Sequence, residues 1–247
     1  MASSPTDIRT LDTEGLKDVA VQLGQPAFRG KQIAEWLWTK GASRFEDMTN
    51  LPQAFRASLA AEYLLSPIRA EEEQVSRDGT VKCAFPIETG KVVEGVLIPA
   101  KERMTACISS QVGCSLSCAF CATGKLKLMR NLTAGEIVDQ VRHIAELAER
   151  HHDHRLTNIV YMGMGEPLLN YRNVLESVDR ITGTPGLGMS PKRITVSTAG
   201  ISKMIRKLGD DEVRFNLALS LHAAQDEKRN QIMEINETND LASLRDA

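Results

Sequence analysis

The sequence predicts an α/β fold: an incomplete parallel β/α barrel, preceded by a small helical domain and a β-hairpin connection. Three observations predict it. From about Thr105 onward, strand-like and helix-like stretches alternate; before that, apolar and polar residues alternate between tight-turn signals; and residues 14–64 carry helical periodicity broken by Gly and Pro.

In order, residues 14–64 read as helices from Glu14 to Leu23, Phe28 to Thr39 and Gln53 to Leu64. Turns at Gly24-Gln25-Pro26, Gly41 and the Asn50-Leu51-Pro52 stop separate them. Ile33, Trp36, Leu37 and Trp38 make an apolar face, which favours core packing of the tryptophans over base stacking. Next, Thr80 to Phe85 and Val92 to Ile98 alternate as strands do, with tight turns signalled at Asp78-Gly79 and Thr89-Gly90. Cys83 keeps step with the apolar positions of its strand and reads as a small buried hydrophobe. Strands from Thr105 to Ser109, Asn158 to Met162, Arg193 to Ser197 and Phe215 to Ser220 then alternate with helices. Those helices run from Ala134 to His151, Tyr171 to Ile181, Ser202 to Leu208 and Gln225 to Ile235, with Thr133 and Glu136 as a capping box for the first. The expected division is 1–65 helical, 66–103 β-rich connection and 104–247 barrel. Parallel strands send the loops that follow them to one side, so residues just past the strand ends are the site candidates.

With 247 residues, 42% hydrophobic and 25% charged, the chain reads as soluble and globular. No apolar run approaches the ~20 residues of a membrane span. Met1 to Asp7 has neither the basic start nor the apolar stretch of a targeting peptide, so a cytoplasmic protein is expected. The net charge of −2 is unevenly spread. Lys101, Arg103, Lys125, Lys127 and Arg130 face only Glu102, and Lys192, Arg193, Lys203, Arg206 and Lys207 form a second group, so RNA contact competes with the reading of solvated faces.

Cys114, Cys118 and Cys121 stand in the spacing C-x3-C-x2-C, three thiolates from one short loop. A four-iron, four-sulfur cube held by three thiolates keeps one iron open to a non-protein ligand. A structural zinc site, its fourth ligand drawn from Cys107 or a histidine, is the alternative, although a second C-x2-C pair is missing among the five cysteines. A disulfide framework fits least, since the chain is long, has few cysteines and shows no leader. Phe120 suits an apolar wall beside a cluster. Gly163-x-Gly165 fails as a dinucleotide fingerprint because Leu168 takes the third glycine position.

Around these cysteines, four strings carry a resemblance: Arg103-Met-Thr-Ala-Cys-Ile-Ser-Ser-Gln-Val-Gly-Cys114, Tyr161-Met-Gly-Met-Gly-Glu-Pro-Leu-Leu-Asn170, Ile194-Thr-Val-Ser-Thr-Ala-Gly200 and Leu219-Ser-Leu-His-Ala223. In this order, together with the aromatic before the third cysteine, they resemble the radical S-adenosylmethionine (SAM) superfamily and, within it, the RlmN/Cfr family, closest to RlmN. The likeness runs from about Leu16 to the last residue.

The resemblance implies a barrel of radical SAM type and a [4Fe-4S] cluster on Cys114, Cys118 and Cys121. It implies SAM contacts at Gly165, Glu166, Ser197, Ser220, Leu221 and His222. It implies methylation of adenosine C2 in 23S rRNA and in tRNA, at the adenosine 3′ of the anticodon, with an external reductant such as flavodoxin or ferredoxin. Cys107 would resolve a covalent protein–RNA intermediate by forming a disulfide with a second, methylated cysteine, and Glu94 would accept a proton. The helical block would be an RNA-binding accessory domain, with Phe28-Arg29-Gly30-Lys31 offering cations to phosphate. After Cys121 there is no cysteine, and four barrel strands are visible where the superfamily usually has six. The expectation is therefore a C-terminally truncated chain, inactive and poorly soluble alone, from a protein that is monomeric when intact. A Cfr-like C8 methyltransferase and a zinc module that docks on RNA are the competing readings.

Overall fold

The computed structural model describes residues 5–87 and 90–247; Met1 to Ser4 of the N-terminal stretch and Thr89 of the second turn signal lie outside them. A short strand β1 (Thr6–Asp7) leads into helix α1 (Thr13–Gln22), α2 (Arg29–Glu35) and α3 (Gln53–Glu62), and β2 (Tyr63–Leu64) returns to pair with β1 in parallel. Asp12 caps α1 by accepting from Gly15 N–H. The second helix is shorter than its periodicity suggests. It loosens into a π turn over Trp36–Lys40 that ends at Gly41 in the left-handed region (φ 69°). Trp38 is packed inside. Trp36 is half-buried, bonds Asn50 through Nε1 at 2.5 Å and carries the Lys40 ammonium over its ring.

Strands β3 (Glu72–Val75), β4 (Val81–Pro86), β5 (Val92–Ala100) and β6 (Arg103–Cys107) form an antiparallel run. After the small pair β7 (Gln111–Val112) and β8 (Arg130–Asn131), β9 (Asn158–Tyr161), β10 (Ile194–Thr198) and β11 (Asn216–Leu219) add to β6 in parallel. The result is one seven-stranded sheet in the order β11-β10-β9-β6-β5-β4-β3. The expected hairpin connection thus continues the same sheet as the four parallel strands. The Asp78-Gly79 signal closes a turn with Gly79 at φ 83°, and Gly90 is likewise left-handed at φ 68°.

Helices α4 (Ala134–His152), α5 (Tyr171–Thr182) and α6 (Ser202–Asp210) follow β8, β9 and β10; α7 (Asp226–Ile232), a 3-10 turn over Glu234–Glu237 and α8 (Leu241–Asp246) complete the chain. The capping box on α4 is present: Thr133 Oγ1 accepts from Glu136 N–H, and the Glu136 carboxylate accepts from Thr133 N–H at 2.9 Å. One face of the sheet is the core. Val81, Cys83, Phe85, Val93, Leu97, Met104, Ala106, Ile159, Tyr161, Ile194 and Val196 are all buried there, Cys83 among them as the alternation requires.

The helical block docks on α4 through a buried ion pair. Arg9 donates to Asp139 Oδ2 at 2.6 Å, to Asp7 and to the Ser66 carbonyl, while Arg142 reaches the Trp38 carbonyl. Among the described residues, no helix is long and apolar enough to cross a membrane.

Candidate functional site

The ends of β6, β9, β10 and β11 converge on one cleft of about 290 Å³. Cys114, Cys118 and Cys121 line it from one side, Gly163, Gly165 and Glu166 from the β9 end, Ser197 to Ala199 from β10, and Ser220 and His222 from β11. The β7–β8 pair holds the two feet of the cysteine loop together through Gln111 opposite Asn131 and Val112 opposite Arg130. Within the loop, Cys114 N–H donates to the Leu126 carbonyl, Cys121 N–H to the Cys118 carbonyl, and Leu116 N–H points at Cys114 Sγ at 3.4 Å. All three thiols are free and half-buried. Burial pushes the Cys114 and Cys118 thiols above their ordinary range, and negative charge adds to it, from Glu166 and Cys121 at Cys114 and from Cys114, Cys121 and Glu166 at Cys118.

Two of the four strings prove to be one hydrogen-bonded unit. Ser110 and Gln111 N–H both donate to the Met164 carbonyl, Glu166 N–H donates to Gln111 Oε1 at 2.8 Å, and Met164 N–H donates to Ser109 Oγ at 2.8 Å. Asn170, wholly enclosed, donates to the Ser110 and Leu132 carbonyls. Gln140 of α4 reads both the N–H and the carbonyl of Ser109. Such buried polar side chains are retained because each satisfies a backbone group that would otherwise be orphaned.

The glycines serve this packing first. A Cβ on Gly165 (φ 96°) would fall 2.5 Å from Gln111 Cβ, and one on Gly163 would strike Ile108 backbone at 2.7 Å. Close approach to a ligand is therefore not the only reason for glycine there. Glu166 is buried, accepts from Leu168 N–H at 3.0 Å through Oε1 and from Ala199 N–H at 2.7 Å through Oε2, and so straps the β9 end to the β10 end. Burial raises its carboxyl pKa. The Thr198 hydroxyl also bonds this carboxylate, and the lone pair left over can meet a donor in the cleft.

Ser197 and Ser220 set their hydroxyls 3.2 Å apart. His222 takes a left-handed conformation (φ 57°) in a tight turn closed by Ala223 N–H on the Leu221 carbonyl, and its ring lies 4.1 Å from that of Phe120. Leu221 is exposed and its side chain does not line the cleft; it contributes its carbonyl, which accepts from Arg229.

Glu94 and Cys107 stand apart from the cleft lining, on the open face of the sheet. Glu94 is half-exposed and paired with Lys82 at 2.9 Å; Cys107 is partly covered, opposite Val96 in the register, and burial raises its thiol pKa. The two basic groups are less free than the sequence suggests, since Arg130 pairs with Glu136 and Lys207 with Asp211. Sequence reading missed Ser109, Gln111, Gln140, Asn170 and Arg229 as individual residues. Ser109, Gln111 and Asn170 lie inside the quoted strings, whereas nothing local marks Gln140 or Arg229.

Comparison with known proteins gives a consistent picture. The family described as "Ribosomal RNA large subunit methyltransferase N-terminal domain" matches residues 6–65, and the radical SAM superfamily matches residues 108–242. A probable dual-specificity RNA methyltransferase RlmN of Cytophaga hutchinsonii is 58% identical over 97% of this chain and 66% of its own length; one from Flavobacterium johnsoniae is 54% identical over 98% and 69%. A crystal structure of a radical SAM methyltransferase from Sphaerobacter thermophilus superposes with a TM-score of 0.88 at 38% identity, covering 97% of this chain and 70% of that one. The chain thus spans about two thirds of the length of the relatives it matches. It belongs to the radical SAM superfamily and, within it, to the RlmN-type RNA methyltransferases, a family that uses a [4Fe-4S] cluster and SAM.

Proposed function

We propose that the protein methylates C2 of adenosine in 23S rRNA and in tRNA, at the adenosine 3′ of the anticodon. One observation carries the reading: three free thiols of a single loop share a cleft with the β9, β10 and β11 ends. That donor set fits a [4Fe-4S] cluster. Among the described residues, no three His, Cys, Asp or Glu side chains converge closely enough to hold one metal ion. A cube asks for thiolates spread over separate irons, whereas zinc asks for convergence.

With cluster and SAM bound, the chemistry supplied is one-electron cleavage of a carbon–sulfur bond, giving a 5′-deoxyadenosyl radical. Adenine C2 is an electron-poor aromatic carbon, which suits radical addition and not simple displacement. The chain's own residues bind and orient. Cys114, Cys118 and Cys121 are the cluster ligands. Glu166 accepts from an ammonium group while its bonds to Leu168 and Ala199 hold it still. The paired hydroxyls of Ser197 and Ser220, the backbone of Gly165 and Leu221, and the His222 ring set the remaining walls for SAM. Cys107 and Glu94 face the open side of the sheet, where an RNA base would approach, with Cys107 resolving the protein–RNA adduct and Glu94 taking the proton. The methyl-carrying cysteine paired with Cys107 in this scheme is not among the 247 residues. A flavodoxin- or ferredoxin-type donor and a cytoplasmic setting accompany the reading.

The test is anaerobic reconstitution of wild type and Cys118→Ala, with iron and acid-labile sulfide assayed, followed by nucleoside mass spectrometry of RNA treated with the complete protein. The expected result is about four irons and four sulfides in wild type, marked loss in the variant, and methyl at C2. Methyl at C8 alone would replace this reading with a Cfr-like one; one zinc without sulfide would remove the enzyme altogether.

A further inference from the structure

Helix α7 carries a buried cation that the family strings do not include. Arg229 is wholly enclosed, yet among the described residues no carboxylate lies within ion-pair distance of it. Its guanidinium donates instead to neutral acceptors: the Ala199 carbonyl past β10 at 2.5 Å, the Ser220 and Leu221 carbonyls past β11 at 3.3 and 3.1 Å, and Asn236 Oδ1. Asp226 reaches it only through Asn236, which accepts from Arg229 and donates to Asp226 Oδ1, and an enclosed charge whose acid stands beyond ion-pair distance is costly in free energy, with hydrogen bonds to carbonyls offsetting only part of the cost.

The same segment grips the cysteine loop. Ala119 N–H donates to the Ile232 carbonyl, the last residue of α7, at 2.9 Å, and Ser117 Oγ donates to the Glu234 carboxylate just beyond. These two bonds flank Cys118 on either side. One short stretch therefore ties the β10 and β11 ends to the loop that presents the thiols. Ala199 and Ser220, whose carbonyls the guanidinium holds, line the same cleft as Cys114, Cys118 and Cys121, so the charge is fixed at the wall of that cleft.

We propose that Arg229 is a positioning residue that also acts electrostatically. It registers the β10 and β11 ends and the His222 turn against the cysteine loop, and its charge, only partly offset by Asp226, favours the reduced state of a cluster held by Cys114, Cys118 and Cys121. This rests on the cluster reading above. A positive charge beside an iron–sulfur centre stabilises the added electron, which is one of the levers that set its potential. Asp226 is the natural control. It bonds Asn236 Nδ2 at 2.8 Å and Leu241 N–H at 3.0 Å through one oxygen, contacts an amide oxygen reproduces, so Asp226→Asn unmasks the Arg229 charge without dismantling its bonds.

The experiment is an EPR-monitored redox titration of the anaerobically reconstituted chain, with iron content and melting temperature measured in parallel, for wild type, Arg229→Gln, Arg229→Lys and Asp226→Asn. Arg229→Gln should leave about tenfold less reduced cluster at a fixed donor potential, a downward shift of ~59 mV. Asp226→Asn should shift the potential upward. Arg229→Lys should keep the wild-type potential but bind SAM about tenfold more weakly, the usual loss when a supporting contact is removed. A loaded wild type whose potential matches those of Arg229→Gln and Asp226→Asn overturns this inference alone. If the arginine variants do not fold, the Asp226→Asn potential decides. Wild-type chain that takes up neither iron nor sulfide overturns the cluster reading, and this inference with it.

Discussion

The two faces of the seven-stranded sheet obey opposite rules. The face under α4 and α5 is filled by side chains such as Phe85, Leu97, Ile159 and Val196, all without solvent exposure. The other face shows Lys82, Glu94, Ile98, Cys107 and Met162, a mixture that packing does not explain, and Ile98 and Met162 are large apolar residues left in solvent. Residues that differ by one position along β5 or β6 therefore belong to different arguments. Leu97 fills a volume in the core; Glu94 and Cys107 stand on the open face, Glu94 paired with Lys82. The lesson is that the alternation which builds the core also delivers every second residue to the open face.

The largest expected effect tests the packed face. Leu97→Ala should lower stability by about 2–5 kcal/mol in chemical denaturation, since a cavity opens where nothing can collapse into it. An unchanged denaturation midpoint would mean that this face is not the core. Next comes the polar seam between the strings. Asn170→Ala strips a partner from the Ser110 and Leu132 carbonyls and should cost about 1–3 kcal/mol. It should also slow iron uptake, because Ser110 leads directly into the cysteine loop.

The α4 cap is a smaller term with a signature in pH. Burial works against the Glu136 charge, but hydrogen bonds from Arg130 and Thr133 outweigh it and hold the carboxyl below its ordinary value of 4.5. The unfolded chain therefore binds the proton more readily. The contribution is complete above pH 4.5 and is lost as pH falls through the lower folded value. Glu136→Gln should flatten the acid limb of a stability profile, and Thr133→Ala should cost about 1 kcal/mol at neutral pH; an acid limb unchanged in Glu136→Gln would assign that limb to other carboxylates. The smallest effect sharpens the comparison. Ile98→Ala, one residue from Leu97, should change stability by less than about 0.5 kcal/mol, as an exposed substitution does. Equal losses at 97 and 98 would erase the distinction between the faces.

What could be read from sequence follows the range of the interactions involved. The parallel strands and their helices show in local periodicity, and the thiolate loop shows in local spacing. Strand β3 does not, because all four of its residues are exposed and only pairing with β4, Glu72 opposite Ala84, makes it a strand. The π turn at Trp36–Lys40 is hidden because its residues keep a helical pattern while the backbone widens. Within the site, Asn170 bonds a carbonyl 60 residues away, Gln140 one 31 away and Arg229 one 30 away, so no window of sequence contains both partners. Charge runs mislead for the same reason: Arg130 and Lys207 meet acids that a count of neighbouring cations overlooks.

The mutual bonding of Ser109-Ser110-Gln111 with Met164 to Asn170 bears on protein engineering. A designer who grafts the thiolate loop alone onto another scaffold transplants a ring without its mount. The Met164 carbonyl and the Glu166 amide that fix its base, together with the Asn170 amide group, would stay behind in the donor. The minimal portable unit is the pair of segments, carried over with the spacing and angle between two neighbouring parallel strands.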